Sequence, residues 1–171
     1  MSNQKDYLVL KTRHGESLIE LYSDKAPHHV ARLLKLAQEN FYNGLKFHRV
    51  IEGFMAQTGC PKGNGTGGSD LPNLKAEFND LHHDRGVVSM ARSQDPHSAN
   101  SQFFIMFKAA PHLDGQYTAF GKVIRGMDKI DSIKKGNPYD NGSLKASEAD
   151  IIDELYVPDH NTLTRLLDLE V

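Results

Sequence analysis

The residues best suited to chemistry lie in Phe47–Gly59, F-H-R-V-I-E-G-F-M-A-Q-T-G, which holds a fixed cation, an amide and several large apolar side chains. The stretch reads as strand, turn and strand, with the break at Glu52-Gly53. Alternate residues of a strand face the same side, so we expect Phe47, Arg49 and Ile51 to share one face. The methionine and glutamine of the second strand share a face in the same way. A cation, an amide and a thioether on neighbouring strands would make an apolar pocket with a polar rim.

The same pattern also fits an arginine on the outside of a sheet above ordinary core side chains. This segment alone leaves both interpretations open. Two further segments favour the pocket. The first holds S-M-A-R at Ser89–Arg92 followed by S-Q-F-F-I at Ser101–Ile105, and the second is L-D-G-Q-Y-T-A-F-G-K-V at Leu113–Val123.

Four motifs follow one another along the chain, F-H-R-x-I-x-G-F-M-x-Q, N-G-T-G-G at Asn64–Gly68, S-M-A and S-Q-F-F. With these motifs in order and at family spacing, the chain strongly resembles the cyclophilin family of peptidyl-prolyl cis-trans isomerases. The resemblance runs from about residue 7 to residue 157. Four such motifs together are highly specific, although any one of them alone would not be.

Composition is consistent with one soluble domain. A chain of 171 residues and 19.1 kDa is long enough to build a hydrophobic core without disulfides or bound metals, and its mean hydropathy is −0.51. The sequence shows neither an apolar run long enough for a membrane helix nor an apolar signal region at its start. A net charge of −2 gives no sign of the basic surface that nucleic-acid binding needs. Cys60 is the single cysteine and cannot form an internal disulfide, which is consistent with a reducing compartment. We therefore expect a cytoplasmic protein that binds neither membrane nor nucleic acid.

Hydrophobic periodicity predicts mostly short strands. Eight segments have β-type patterns: 7–12, 17–22, 47–51, 54–58, 86–91, 101–107, 117–124 and 151–157. A helix is expected where apolar residues fall at helical spacing, with Ser23-Asp24 before it as cap candidates and Pro27 near its first turn. These apolar residues are Val30, Leu33, Leu34, Ala37 and Phe41. A second, short helix is expected around Met127–Ile133, with Lys134-Lys135 in its last turn.

Many short strands and two separated helices suggest a small barrel. The resemblance implies a mainly β fold, a closed eight-stranded antiparallel barrel capped by two α-helices, within residues 1–157. Residues 158–171 then form a C-terminal appendage. Its leucines have loosely helical spacing, and Asn161 could cap a helix that starts at Thr162.

The resemblance also implies a function, acceleration of rotation about X-Pro bonds in folding or unfolded chains by non-covalent stabilisation of the twisted amide. It implies that Arg49 acts on the prolyl amide as the catalytic residue. The other site residues implied by the resemblance bind substrate: Phe54, Met55, Gln57, Gly65, Ala91, Arg92, Ser93, Gln102, Phe104, His112, Leu113 and Tyr117. Of the adjacent phenylalanines, Phe103 is expected inside the core and Phe104 in the proline pocket.

Three positions depart from the family pattern. His112 replaces a frequent tryptophan, Tyr117 replaces the usual histidine, and Arg92 stands where animal members commonly carry asparagine. The missing indole N–H implies weak cyclosporin binding, whereas Tyr117 keeps an aromatic wall, so activity should survive. Expected partners are proline-containing peptides and unfolded proteins, bound by a monomeric folding chaperone without any cofactor.

Other motifs do not support a different chemistry. Residues 63–68 match G-x-G-x-x-G, but the following S-D-L-P does not begin a helix, so nucleotide binding is not expected. The histidine pairs His28-His29 and His82-His83 lack chelating spacing, so no metal site is predicted. Cys60 has no recognisable partner for nucleophilic catalysis and reads as a spare thiol in a loop.

Two readings from other classes stay open at this point. One is a non-catalytic module that binds proline peptides, against which Arg49 argues, because a pure binder gains little from a donor at the imide nitrogen. The other is a barrel that carries a small apolar ligand, against which the bulky interior candidates Phe103 and Ile105 argue.

Overall fold

The computed structural model describes residues 5–169, and these form eight strands, three α-helices and two 3-10 turns. The strands are β1 (Asp6–Thr12), β2 (Gly15–Leu21), β3 (Arg49–Ile51), β4 (Met55–Thr58), β5 (Val87–Met90), β6 (Phe103–Met106), β7 (Ala119–Arg125) and β8 (Glu154–Tyr156). The helices are α1 (Pro27–Gln38), α2 (Met127–Asp131) and α3 (His160–Leu167), and the 3-10 turns are Pro111–Leu113 and Pro138–Asp140. Each predicted strand is present, and most are shorter than predicted. No helix within residues 5–169 is both long and apolar enough to cross a membrane.

The strands form one antiparallel sheet in the order β3-β4-β6-β5-β7-β2-β1-β8, with β3 and β8 at its edges. The prediction of a closed barrel is therefore wrong, because the ladder is open between these two strands. The physical reason is that another segment takes the outer edge of β3. The Val50 N–H donates to the Gly142 carbonyl at 2.9 Å, and the Leu144 N–H donates to the His48 carbonyl at 3.1 Å.

Alternation along the strands separates two rows of side chains across β3, β4, β6 and β5. One row lies in the core and consists of Val50, Ala56, Ile105 and Val88. The neighbouring row points to the opposite face and consists of Arg49, Gln57, Phe104 and Ser89. The same sheet thus supplies a core on one side and a row of polar and aromatic groups on the other.

Phe47 corrects one detail of the predicted pattern. It is fully buried in the main core rather than on the face of Arg49. The strand begins only at Arg49, and the Phe47 N–H donates to the Asp150 carbonyl at 2.9 Å instead of joining the ladder. The period-two argument therefore does not extend back to this residue.

Helix α1 begins at Pro27, as the proline predicted, but neither Ser23 nor Asp24 is its cap residue. The N–H groups of His28 and His29 donate to the two carboxylate oxygens of Glu77, at 3.2 and 2.9 Å. A carboxylate at this position satisfies free N–H groups and complements the helix dipole.

Helix α2 ends at Asp131, so Lys134 and Lys135 lie beyond it rather than in its last turn.

The C-terminal segment folds into α3, which packs on the sheet face opposite to the core. The side chain of Asp159, rather than Asn161, caps this helix and accepts the Thr162 N–H at 2.7 Å. Leu166 is buried against Val9 and Leu18, an opposed pair on β1 and β2. The helix therefore covers apolar side chains that would otherwise face water.

Candidate active site

The site is built on the polar row of the sheet. Arg49 on β3 lies directly opposite Gln57 on β4, which lies opposite Phe104 on β6. Opposed residues of antiparallel strands have side chains on the same face and within reach of one another. Strand register alone therefore places a cation, an amide and an aromatic ring side by side.

A cavity of about 530 Å³ with aromatic walls opens beside this row. Phe104 meets Tyr117 edge to face with ring centroids 5.8 Å apart, and His112 stacks on Phe54 at 6.2 Å. The lining residues are Arg49, Phe54, Met55, Gln57, Ala91, Arg92, Phe104, His112, Leu113, Gln116 and Tyr117. Aromatic walls with a few polar groups at the rim are typical of a small-ligand site.

A second cavity of about 470 Å³ adjoins the first and shares Gln57, Ala91 and Arg92 with it. Its other residues are Gly65, Thr66, Gly67, Gly68, Ser69, Asn73, Ser93, Ser98, Asn100, Ser101 and Gln102. Every one of the site residues predicted from the sequence lines one or both of these cavities. Gln116, Thr66 and Ser101 lie within the quoted motifs but were not predicted as site residues. Ser69, Asn73, Ser98 and Asn100 were missed because no motif marks them.

The two cavities are joined by a chain of hydrogen bonds that runs in one direction. Nη1 of Arg49 donates to Oε1 of Gln57 at 3.2 Å, and Nε2 of Gln57 donates to Oε1 of Gln102 at 3.0 Å. Nε2 of Gln102 then donates to the carbonyls of Gly65 and Gly67 at 3.0 and 2.9 Å. A guanidinium can only donate, so Arg49 fixes the orientation of both amides.

Arg49 is held on a second side by Asn141. Its Nε donates to the Asn141 carbonyl at 3.1 Å, and its Nη2 donates to Oδ1 of the same residue at 3.0 Å. Burial lowers the pKa of Arg49 from its ordinary value, but a guanidinium remains protonated at neutral pH. Of its five N–H groups, three are engaged within the described residues, which leaves two for a ligand.

Arg92 forms the ridge between the cavities. Its guanidinium lies 4.5 Å from the ring centroid of Tyr117 and donates to the carbonyls of Ser93 and Gln116, at 2.9 and 2.6 Å. A cation over an aromatic face is attracted by the quadrupole of the ring, whose face is partially negative. Arg92 thus holds the tyrosine that replaces the family histidine.

A buried group behind Phe104 was also missed. The His83 ring stacks on Phe104 at 6.2 Å, with Nδ1 3.0 Å from Oδ1 of Asp114 and Nε2 2.9 Å from Oγ of Ser89. Burial lowers the pKa of His83, so the neutral ring donates to Asp114 and accepts from Ser89. Hydrogen bonds from His82 and from the His83 N–H lower the pKa of Asp114 to about 2. These hydrogen bonds link the side chains of His83, Asp114 and Ser89, and His83 supports the aromatic wall from behind Phe104.

Residues 65–68 of the glycine-rich segment line the second cavity, as expected of a loop rather than of a nucleotide motif. Cys60 is a free thiol, as expected, and it is buried. Its Sγ accepts the Gly67 N–H at 3.2 Å and thereby folds the loop back on itself.

Comparison with known proteins agrees with this geometry. The family described as cyclophilin type peptidyl-prolyl cis-trans isomerase/CLD matches residues 7–157. The chain belongs to this family. The resemblance inferred from the four motifs is thereby confirmed, and this cyclophilin is a peptidyl-prolyl cis-trans isomerase.

Relatives and solved structures support the assignment. A Brucella suis protein named "Probable peptidyl-prolyl cis-trans isomerase" is 52% identical over 155 residues, 84% of this chain and 79% of that one. A Helicobacter pylori peptidyl-prolyl cis-trans isomerase is 46% identical over 135 residues, 77% of this chain and 82% of that one. A Cryptosporidium parvum cyclophilin crystallised in the presence of the dipeptide Ala-Pro has a TM-score of 0.81 and 28% identity. The alignment covers 90% of this chain and 99% of that chain.

Proposed function

We propose that this cyclophilin accelerates X-Pro rotation by binding the twisted amide, with the proline ring in the 530 Å³ cavity and Arg49 at the imide nitrogen. One observation carries the proposal. The guanidinium of Arg49 is fixed by Gln57 and Asn141 at the rim of an aromatic cavity, with two N–H groups left to a ligand among the described residues.

Rotation about an X-Pro bond is slow because amide resonance must be lost, with a barrier of roughly 18–20 kcal/mol. No covalent bond is made or broken, so the enzyme needs only to bind the twisted form better than either planar form. A donor near the imide nitrogen stabilises the lone pair that localises there on twisting. Arg49 suits this task because its fork is planar, protonated and already oriented.

The energy required is modest. Shortening a process of tens of seconds to milliseconds takes about four decades, or roughly 5–6 kcal/mol. A charge-assisted hydrogen bond in a partly desolvated site, together with the grip of Phe54, Met55, Phe104 and Leu113 on the ring, accounts for this amount. The reaction so described needs no metal or cofactor.

The remaining residues would hold the peptide around the proline. Gln57 and Gln102 would bind its backbone, and Gly65, Ala91, Arg92 and Ser93 would line the groove for the residue before proline. The Ala-Pro dipeptide named with the Cryptosporidium parvum structure supports proline-containing peptides as the substrate class. We propose that the natural substrates are unfolded or folding chains in the cytoplasm, and that the enzyme acts as a monomeric folding chaperone that binds neither nucleic acid nor membrane.

Two other functions have less support. In a passive peptide binder the fixed position of Arg49 would have no use. A carrier of small apolar ligands would need space inside the sheet. That space is filled by Phe47, Phe103 and Ile105, which are at most 1% exposed.

The function is tested with a short X-Pro peptide whose cis and trans forms give separate NMR signals. Adding the protein together with a metal chelator is expected to broaden both sets of signals through catalysed exchange. Sharp signals equal to those in buffer, with binding still detectable, would identify a passive binder instead.

Cyclosporin is expected to inhibit weakly, because position 112 carries histidine in place of the tryptophan. His112 stacks on Phe54 at the cavity rim, so His112→Trp would present an indole N–H and more apolar area at the same place. We expect inhibition to strengthen by about 1–2 kcal/mol, the size of one hydrogen bond plus partial ring burial. Titration of both proteins with the drug measures this, and tight inhibition of the wild type would contradict it.

A further inference from the structure

We propose that Asn141 is a positioning residue, which sets the orientation of the Arg49 guanidinium from outside the sheet. The inference rests on the proposed role of Arg49. Asn141 lies 92 positions along the chain from Arg49, and two of its oxygens, the carbonyl and Oδ1, accept from that guanidinium. Together with Gln57 on the other side, it leaves the fork little freedom to turn.

The backbone of Asn141 makes this double contact possible. The residue adopts φ 54° and ψ 31°, the left-handed region that asparagine tolerates better than most residues. In this conformation its carbonyl and its side-chain oxygen both face Arg49. Such conformations of non-glycine residues cost energy and concentrate at functional sites.

The loop is anchored directly to the strand that carries Arg49. The Gly142 carbonyl accepts the Val50 N–H at 2.9 Å, one residue after Arg49. Gly142 has φ +77°, and a Cβ there would lie 2.9 Å from the Val50 oxygen and would also crowd Ile51. The close approach therefore requires glycine, and it holds Asn141 at a fixed distance from the guanidinium.

The loop does not depend on the side chain of Asn141 for its shape. The Asn137 carbonyl accepts the Gly142 N–H at 2.8 Å, and Oδ1 of Asn137 accepts the Tyr139 N–H at 2.9 Å. Ser143 Oγ donates to the Asp140 carboxylate at 2.6 Å. The side-chain amide of Asn141 therefore serves to bind Arg49, and its removal should not open the loop.

A neutral acceptor suits this position. An aspartate would form a full ion pair with the guanidinium and draw its charge away from the ligand. The asparagine orients the fork while the net positive charge stays available to the substrate.

The test compares two glycine substitutions. Asn141→Gly keeps the left-handed backbone and the carbonyl but removes Oδ1. Asn40→Gly is the matched control, since Asn40 is the other non-glycine residue with positive φ among residues 5–169 and lies just after α1. Both variants should stay folded with a stability close to that of the wild type, because the strain that glycine relieves at positive φ offsets its larger loss of backbone freedom on folding. Turnover should fall about tenfold in Asn141→Gly, the loss of one hydrogen bond to a charged group, and stay unchanged in Asn40→Gly.

Two further readouts separate positioning from general damage. The loss should appear in the exchange rate of the bound peptide rather than in its affinity, because the proline cavity is untouched. The double variant Arg49→Ala/Asn141→Gly should be no slower than Arg49→Ala, because Asn141 acts through Arg49.

Full turnover in Asn141→Gly, with Arg49→Ala inactive, would overturn this inference and leave the proposed function intact. Full turnover in Arg49→Ala would overturn the role of Arg49 itself. A slower double variant would show that Asn141 acts independently of the arginine.

Discussion

Replacing Arg49 by alanine is expected to reduce isomerase turnover at least tenfold while the protein stays folded. The side chain lines the 530 Å³ cavity, where it supplies the charge-assisted hydrogen bond proposed to stabilise the twisted amide. Its loss also releases Gln57, whose Oε1 accepts from Nη1 of Arg49. Exchange broadening on an X-Pro peptide measures the effect, and circular dichroism checks the fold.

Arg49→Lys should recover little, because an ammonium lacks the planar fork that donates to Gln57 and Asn141 at once. Arg165→Ala is the matched control, as it removes the same charge from α3, where Nη2 bonds to Glu16 at 3.1 Å. The control should keep wild-type turnover. An Arg49→Ala protein that remains near wild type would show that another group stabilises the twisted state.

Replacing Leu166 by alanine is expected to lower the free energy of unfolding by about 2–4 kcal/mol without changing turnover. Leu166 is 1% exposed and packs on Val9 and Leu18, so its removal leaves a cavity between α3 and the sheet. The two active-site cavities are lined by other elements. Chemical denaturation gives the stability, and the peptide exchange assay gives the activity.

Leu169→Ala is the control, since Leu169 is 48% exposed and should change stability by less than about 0.5 kcal/mol. Removing residues 159–171 altogether should destabilise further, because it uncovers the apolar pair on β1 and β2. We propose on this basis that residues 158–171 are an appendage to an isomerase unit of residues 1–157. A truncated protein that stays folded but loses turnover would contradict that division.

Local sequence patterns determined the family and the residues of the candidate site. The motifs around Arg49, Gln57 and Phe104 fix side-chain type and alternation on single strands, and both are local properties. The strands themselves follow from period-two hydrophobicity, and α1 follows from period 3.6 after Pro27. His112 and Tyr117 were implied by the family resemblance, and both lie within four residues of Leu113 in one short segment.

The tertiary structure alone decided which distant groups hold that site in place. Asn141 is hydrogen-bonded to Arg49, the His83 ring stacks on Phe104, and Glu77 accepts hydrogen bonds at the start of α1. Each contact joins separate segments of the chain, and such contacts leave no periodicity in the sequence. The N-G pair at Asn141 signals a turn but does not say which side chain it meets. Sheet closure was decided in the same way. The outer edge of the short β3 pairs with the loop after α2 and not with β8. Any backbone segment that reaches a buried strand edge can satisfy its N–H and C=O groups, so the strand pattern alone does not determine which segment does.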